Sequence, residues 1–252
     1  MNDKGLGSAP AYERRAVVEH YDRQTELQPA ERVLFERHVP QGSRVLDLGV
    51  GAGRTTPWLS ARASSYLGAD LVEVMVERCR QKFPGLSFVQ ADATELAGFE
   101  DGALDVVVFS FNGIDCIPSL EGRERCFAAC ARVLRPGGLF LFSSHNARYA
   151  VYAPVFAGGL LRRIWRIVYA CAHTLSNLLF LLPTRAFWRG WGFVRDPTVH
   201  GGRKHVATQA HVAAELARHG FELLETQAGA AVARRHSITT PWYYYAARKQ
   251  AR

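Results

Sequence analysis

The sequence predicts an α/β fold in which a doubly wound, mostly parallel seven-stranded sheet carries helices on both faces. Three observations lead there. Short apolar runs alternate with helix-like segments from residue 40 onward, a glycine-rich turn follows the first run, and no hairpin signal joins neighbouring runs. Strands separated by helices need crossover connections, which makes their pairing parallel.

The elements follow in order. Residues 1–11 read as a small-residue tail. From Tyr12 to Val39 the apolar positions Val17, Tyr21, Leu27, Val33, Leu34 and Phe35 suit a helical segment interrupted at Pro29. SRVLDLG, from Ser43, is expected as a buried first strand, and TTPWLSARA as the helix after it. Pro57 suits the first turn of that helix, where its missing N–H costs nothing. SSYLGADL then reads as a strand, VEVMVERCRQKF as a helix, LSFVQADA and ALDVVVFSF as the third and fourth strands. GRERCFAACARVL is a helix and GGLFLFSSHN the fifth strand. Near the C-terminus TQAHVAAELARHG gives a helix ending at Gly220, FELLETQ a sixth strand and PWYYYAARK a seventh.

Residues 147–205 interrupt the alternation. This stretch is rich in aromatic and aliphatic residues with arginines at both ends. Ile164 to Leu182 carries a single charge, Arg166, and approaches the lower length limit of a spanning helix. Its mid-segment polar residues and its basic flanks on both sides argue against spanning. The expectation is a helical cap over the carboxyl edge of the sheet, with a homodimer contact or a peripheral membrane contact as the other uses of such a surface. The organisation is therefore an N-terminal helical segment over 1–39 covering the site, a ligand-binding domain built from 40–146 and 206–252, and the cap over 147–205.

A hydrophobic fraction of 48% with 21% charged residues suits one globular domain. The net charge of +8 leaves nucleic acid, anionic lipid or an acidic substrate open, and is read as arginine dispersed over a solvated surface. Cys79, Cys116, Cys126, Cys130 and Cys171 show no paired-bridge or zinc-type spacing, so no metal is expected. That cysteine pattern and the polar start MNDKGLGSAPAYERR, which lacks an apolar signal core, give cytoplasmic as the expected location.

The chemistry gathers at the strand ends, where open parallel sheets bind ligands. Gly49, Gly51 and Gly53 let a ligand approach the backbone after the first strand, and Asp47 lies inside that strand's end. A dinucleotide fingerprint calls for a third glycine where Arg54 stands, and a phosphate-cradling loop calls for Gly-Lys-Ser/Thr, which is absent. Asp70 ends the second strand, where a carboxylate accepts both hydroxyls of a ribose; its plainer role is a helix cap. Asp92 ends the third, placed to accept from an adenine amino group beside the Ala93 N–H, or else to cap a turn.

With these residues on the page, the sequence resembles the class I S-adenosylmethionine-dependent methyltransferases over residues 40–146, and more loosely over 205–248. VLDLGVGAGRTT, with Asp47, Gly49, Gly51 and Gly53, resembles the family's first motif, whose glycines lie against the methionine and ribose parts of the cofactor. LGADLVEVMVE resembles the segment whose acid holds the ribose, here Asp70 with Leu71 beside it. FVQADATEL resembles the adenine segment, here Asp92 and Ala93. ALDVVVFSFNGIDCI resembles the fourth strand, whose end, Ser110, Phe111 and Asn112, faces the cofactor's amino-acid part and the substrate. RVLRPGGLFLFSSHN resembles the following helix, turn and fifth strand. The resemblance implies a Rossmann-like methyltransferase fold whose seventh strand runs antiparallel between the fifth and sixth. It also implies S-adenosyl-L-methionine as cofactor, S-adenosyl-L-homocysteine as product, and in-line transfer of a methyl group.

The acceptor is less determined. Asn-Pro-Pro-Tyr, frequent after the fourth strand in enzymes that methylate amino groups of bases or glutamine, is replaced by Phe111-Asn112-Gly113-Ile114. This points to a small organic acceptor, apolar or acidic, methylated at oxygen. An oxygen acceptor such as a hydroxyl needs deprotonation, and His145 just past the fifth strand is the first candidate for the base. Asp115 is the second, and Tyr21, in a helix that covers the cofactor in similar proteins, the third. His145 and Asp115 have bracing or capping as alternative roles, and Tyr21 a place in an aromatic stripe. A nucleic-acid (RNA) methyltransferase and a non-catalytic cofactor-binding subunit are the alternatives from other classes; no appended RNA-binding module supports the former.

Overall fold

The computed structural model describes residues 12–150, 159–195, 203–229 and 237–251. Its central sheet has seven strands: β1 (Ser43–Leu48), β2 (Ala63–Asp70), β3 (Ser87–Gln90), β4 (Leu104–Phe109), β5 (Leu134–His145), β8 (Phe221–Ala228) and β9 (Trp242–Lys249). Their order is β3-β2-β1-β4-β5-β9-β8. The first five are parallel, and β9 runs antiparallel to both β5 and β8. The expected seven-stranded, mostly parallel, doubly wound sheet is therefore present, with the last strand inserted between the fifth and sixth.

Both faces of this sheet are covered, which is why its strands read as continuous apolar runs. Within β4, Val107 and Phe109 enter one core with Phe140, Phe142 and Phe127, while Val106 and Val108 enter the other with Leu141, Leu34 and Phe35. The two-residue period of a strand sends alternate side chains to opposite faces. Helices α1 (Arg15–Asp22), α2 (Pro29–His38), α3 (Thr56–Ser60), α4 (Glu73–Lys82) and α5 (Leu120–Val133) precede the insertion, and α8 (Gln209–Arg218) follows it. Pro29 opens α2 instead of breaking one long helix, because proline at the first position gives up no intrahelical bond. Glu31 completes a capping box there, accepting from the Gln28 N–H at 3.0 Å.

The insertion differs from a purely helical cap. It contains α6 (Leu160–Thr184), α7 (Ala186–Arg189) and an antiparallel ribbon of β6 (Trp191–Arg195) with β7 (Arg203–Ala207). Residues 151–158 and 196–202 of the expected cap, and 1–11 of the expected N-terminal segment, lie outside the described residues. Ala147, Ala186, Val194 and Val206 form a small core of the insertion's own, tied to the sheet by the Asn146–Ala207 bridge. α6 packs against β6 and α7. Among the described residues no helix is long and apolar enough to cross a membrane.

Candidate active site

A cavity of about 590 Å³ opens beyond the carboxyl ends of β1, β2, β3 and β4. The glycine turn forms its floor, with Gly49 and Gly51 on the lining, and its three glycines serve two purposes. A Cβ on Gly49 would lie 2.5 Å from the Phe109 ring, and one on Gly53 2.5 Å from the Phe83 ring, so both are required by packing. At Gly51, with φ +55°, a Cβ would have only the Tyr21 ring within 4 Å, at 3.9 Å. The space beside Gly51 belongs to the cavity, and a side chain there would fill it. Gly53 does not line the cavity, which corrects its expected ligand contact; its work is to let α4 approach the turn.

The strand-end acids divide similarly. Asp47 is buried, and one carboxylate oxygen accepts from Thr55 Oγ1 at 2.7 Å and Tyr66 OH at 2.8 Å. Burial pushes its pKa up to about 6, against these two hydrogen bonds. Asp47 thus closes the turn onto β2. Asp70 uses one oxygen for the Gly51 N–H at 2.8 Å and the other for the Val72 N–H at 2.9 Å. Each carboxylate oxygen has a second lone pair, so Asp70 can hold the turn and still accept from a diol. Leu71 follows it on the wall. Asp92 and Ala93 line the cavity too, and Asp92 additionally accepts from the Thr94 N–H at 2.8 Å.

The end of β4 is backbone of an uncommon kind. Phe111 (φ 55°) and Asn112 (φ 63°) are consecutive non-glycine residues in the left-handed region, a conformation that costs energy and recurs at functional sites. Ser110 and Phe111 reach the cavity; Asn112 turns away, its N–H donating to Ser143 Oγ at 2.7 Å, so it is no part of the wall. A 3-10 turn, Gly113–Cys116, follows. Gly113 and Cys116 face the cavity.

The N-terminal helices close over this floor. Tyr12 and Tyr21 line the cavity, their rings 5.9 Å apart, and Tyr21 meets Phe111 edge-on at 6.4 Å. Arg54 pairs in two-point fashion with the buried carboxylate of Glu31, one arm at 2.8 Å, and lies 4.9 Å from the Phe111 ring centre. Ser110 Oγ donates to the same carboxylate.

Residues 46–142 match the family model described as a methyltransferase domain. They are a methyltransferase domain of the S-adenosylmethionine-dependent class. The chain is 35% identical over 129 residues to phthiotriol/phenolphthiotriol dimycocerosates methyltransferase 1 of Mycobacterium ulcerans, covering 49% of this chain and 46% of that protein. It is 34% identical over 115 residues to the fatty-acid O-methyltransferase of Mycolicibacterium smegmatis, covering 44% and 40%. The matched stretch spans half or less of each of these two relatives. A solved S-adenosylmethionine-dependent methyltransferase from Methanosarcina mazei superposes with a TM-score of 0.64 at 18% identity, over 90% of this chain and 100% of that one, a likeness of fold.

The cofactor of this domain is S-adenosylmethionine, and the residues present fit it. The vacant Cβ position of Gly51 opens a cradle on the cavity, and the carboxylates of Asp70 and Asp92 on its lining could accept from hydroxyl and amino groups of such a ligand. Arg54 beside the turn is held by Glu31, and Lys82 by the Ala52 carbonyl and Asp22, so neither reaches for a phosphate. A positively charged, phosphate-free ligand suits that set.

Of the three candidate catalytic residues, Tyr21 lines the cavity and Asp115 and His145 do not. Asp115 is fully buried within the 3-10 turn. Its Oδ2 accepts from the His145 N–H at 2.6 Å and pairs with His145 Nδ1 at 2.8 Å; its Oδ1 accepts from Ser144 Oγ at 2.7 Å and Arg123 at 3.1 Å. Burial alone would raise this carboxyl, but the hydrogen bond from His145 and the nearby Arg123 guanidinium hold it below the ordinary carboxylate range. A buried carboxylate with four donors cannot meet a substrate, so Asp115 positions His145. His145 itself stands at the end of β5, outside the cavity lining, with the Asp115 turn between them.

The sequence reading missed the ion network behind this turn. Arg123 is buried between Asp115 and Glu215, donating to both Glu215 oxygens at 2.8 and 3.1 Å. A signal existed: Arg123 falls on the helix face of Cys126, Phe127 and Cys130, where a charge must find a buried partner. His205 is fully buried beside them with neither ring nitrogen hydrogen-bonded, and burial pushes its pKa down to about 3, aided by Arg123. Ligand atoms of His205, His211 and Glu215 lie within 4.8 Å of one another. Because both Glu215 oxygens accept from Arg123, a cation there would face a guanidinium.

Proposed function

We propose that the chain methylates a small organic acceptor with an apolar body at an oxygen atom, with His145 receiving the acceptor's proton. The observation that carries the reading is the Asp115–His145 pair, 2.8 Å apart. Asp115 belongs to the short turn whose Gly113 and Cys116 face the cavity, and His145 stands part-exposed behind it at the end of β5, so the acceptor's oxygen has to reach past that turn. When bound, S-adenosylmethionine supplies an electrophilic methyl group and leaves as S-adenosylhomocysteine.

The chain's part is alignment, exclusion of water and proton acceptance. Asp70 and Asp92 would hold the ribose and adenine, and Tyr12, Tyr21 and Phe111 give the cavity apolar walls beside Ser110. A carboxylate facing Nδ1 keeps the proton on that nitrogen, so the neutral ring carries its basic lone pair on Nε2. An apolar acceptor agrees with these walls. Relatives named for a fatty-acid substrate and for phthiotriol or phenolphthiotriol dimycocerosates support a lipophilic one.

The test is transfer of a labelled methyl group to a panel of long-chain hydroxyl, carboxyl and amino compounds, with product mass and connectivity read out. Labelled ethers that fall by at least about a hundredfold in His145→Ala, the range of a lost general base, are the expected result; a carboxylate acceptor has no proton to give up, so labelling of carboxyl compounds alone would remove the role of His145. Labelling confined to amines, or undiminished turnover of the variant, contradicts the reading.

A further inference from the structure

The helix α6 is amphipathic in the reverse sense. Leu160, Ile164, Val168, Leu175 and Leu179 recur at helical spacing along one face, and they are 73%, 49%, 62%, 59% and 64% exposed. Trp165, beside them, is 67% exposed. The opposite face, toward the rest of the chain, carries the buried Ala170 and the half-buried Arg166, His173 and Thr174. A surface helix ordinarily buries its apolar stripe. Here the stripe points outward over about 30 Å, at 1.5 Å rise per residue.

The charge is distributed just as unevenly. Residues 147–214 contain nine basic residues, from Arg148 to Lys204, and one acid, Asp196. The remaining chain holds 22 basic and 22 acidic residues, so the net +8 resides wholly in this segment, not dispersed as expected from composition. Arg162 and Arg163 lie in the first turns of α6, and Arg185 and Arg189 just beyond its end.

We propose that α6 is an interfacial helix that lays its outward apolar face on an anionic lipid surface. A basic segment with an exposed stripe of Leu, Ile, Val and Trp has the composition of such helices, whose apolar face enters the acyl boundary while the cations meet the headgroups. Charge decides against a second copy of the chain as occupant, because a two-fold contact through α6 would bring two +8 segments together. A spanning arrangement fails because the inward face is polar.

The test is flotation of the full-length chain with vesicles of phosphatidylcholine alone and of phosphatidylcholine mixed with phosphatidylglycerol. Neither cofactor nor acceptor is needed, so the result is independent of the proposed methyl transfer. Expected are binding at least about tenfold tighter to the anionic vesicles, weakening with added salt, and quenching by brominated lipid that falls in Trp165→Phe. Val168→Glu and Leu175→Glu, both at exposed positions, abolish flotation while circular dichroism is unchanged. The proposal is overturned by equal or absent binding to the two vesicle types. It is equally overturned by a dimer in sedimentation velocity that Val168→Glu dissociates, which would make a second copy the occupant.

Discussion

Arg54 and Glu31 join the glycine turn to the N-terminal helices through a two-point ion pair, with side-chain exposures of 9% and 0%. Glu31 simultaneously caps α2 and accepts from Ser110 at the end of β4. One carboxylate therefore fixes three parts of the cavity relative to one another.

Glu31→Gln should leave the guanidinium buried without its counter-charge. Breaking a buried pair from one side costs about 3–5 kcal/mol. The expected outcome is a large drop in unfolding free energy by denaturant titration, together with weaker binding of S-adenosylhomocysteine. A loss under about 1 kcal/mol, the worth of an exposed pair, would show that the bridge is solvated.

Asp115→Asn should alter the pH profile of turnover more than the affinity for cofactor. An amide cannot stabilise a proton on His145 as the carboxylate does, so the acidic limb of activity, on which the base is protonated, moves to lower pH and kcat falls while KM for S-adenosylmethionine holds. An unshifted profile would reduce Asp115 to a partner of Arg123.

His205 gives a stability prediction with a definite sign. Its folded pKa, near 3, lies below the unfolded value, so the unfolded chain binds more protons between the two. The native state is fully favoured above about pH 6.5 and loses stability as pH falls through that window. His205→Phe, which keeps a ring against Phe193 and Trp191 and removes two unsatisfied nitrogens, should flatten thermal stability over that range. A variant as acid-sensitive as the parent would show that another group titrates.

The sheet was legible because its strands are buried on both faces and separated by regular helices, so continuous apolar runs and crossovers could be read directly. The cofactor floor was legible because Gly51, Asp70 and Asp92 must stand at strand ends. Less legible were charges placed on apolar helix faces. Glu31 with Leu34 and Phe35, Arg123 with Cys126 and Phe127, and Glu215 with Val212 and Leu216 all occupy buried stripes, and their partners are distant in sequence. Spacing can reveal that such a charge is buried, but only tertiary contact reveals with what. The β6–β7 ribbon escaped for another reason: its five-residue strands lie among aromatics and arginines that suit a helix equally well.

We place S-adenosylmethionine in the cavity above the glycine turn, with its ribose on Asp70. Calorimetric titration of S-adenosylhomocysteine into the wild-type chain and Asp70→Ala tests it most directly. Charge-assisted hydrogen bonds contribute about 1.5–3 kcal/mol each, so the wild type should bind and the variant should lose at least about tenfold in affinity, with circular dichroism preserved. Equal affinities in the two proteins, or tighter binding of a phosphate-bearing dinucleotide by the wild type, would contradict it.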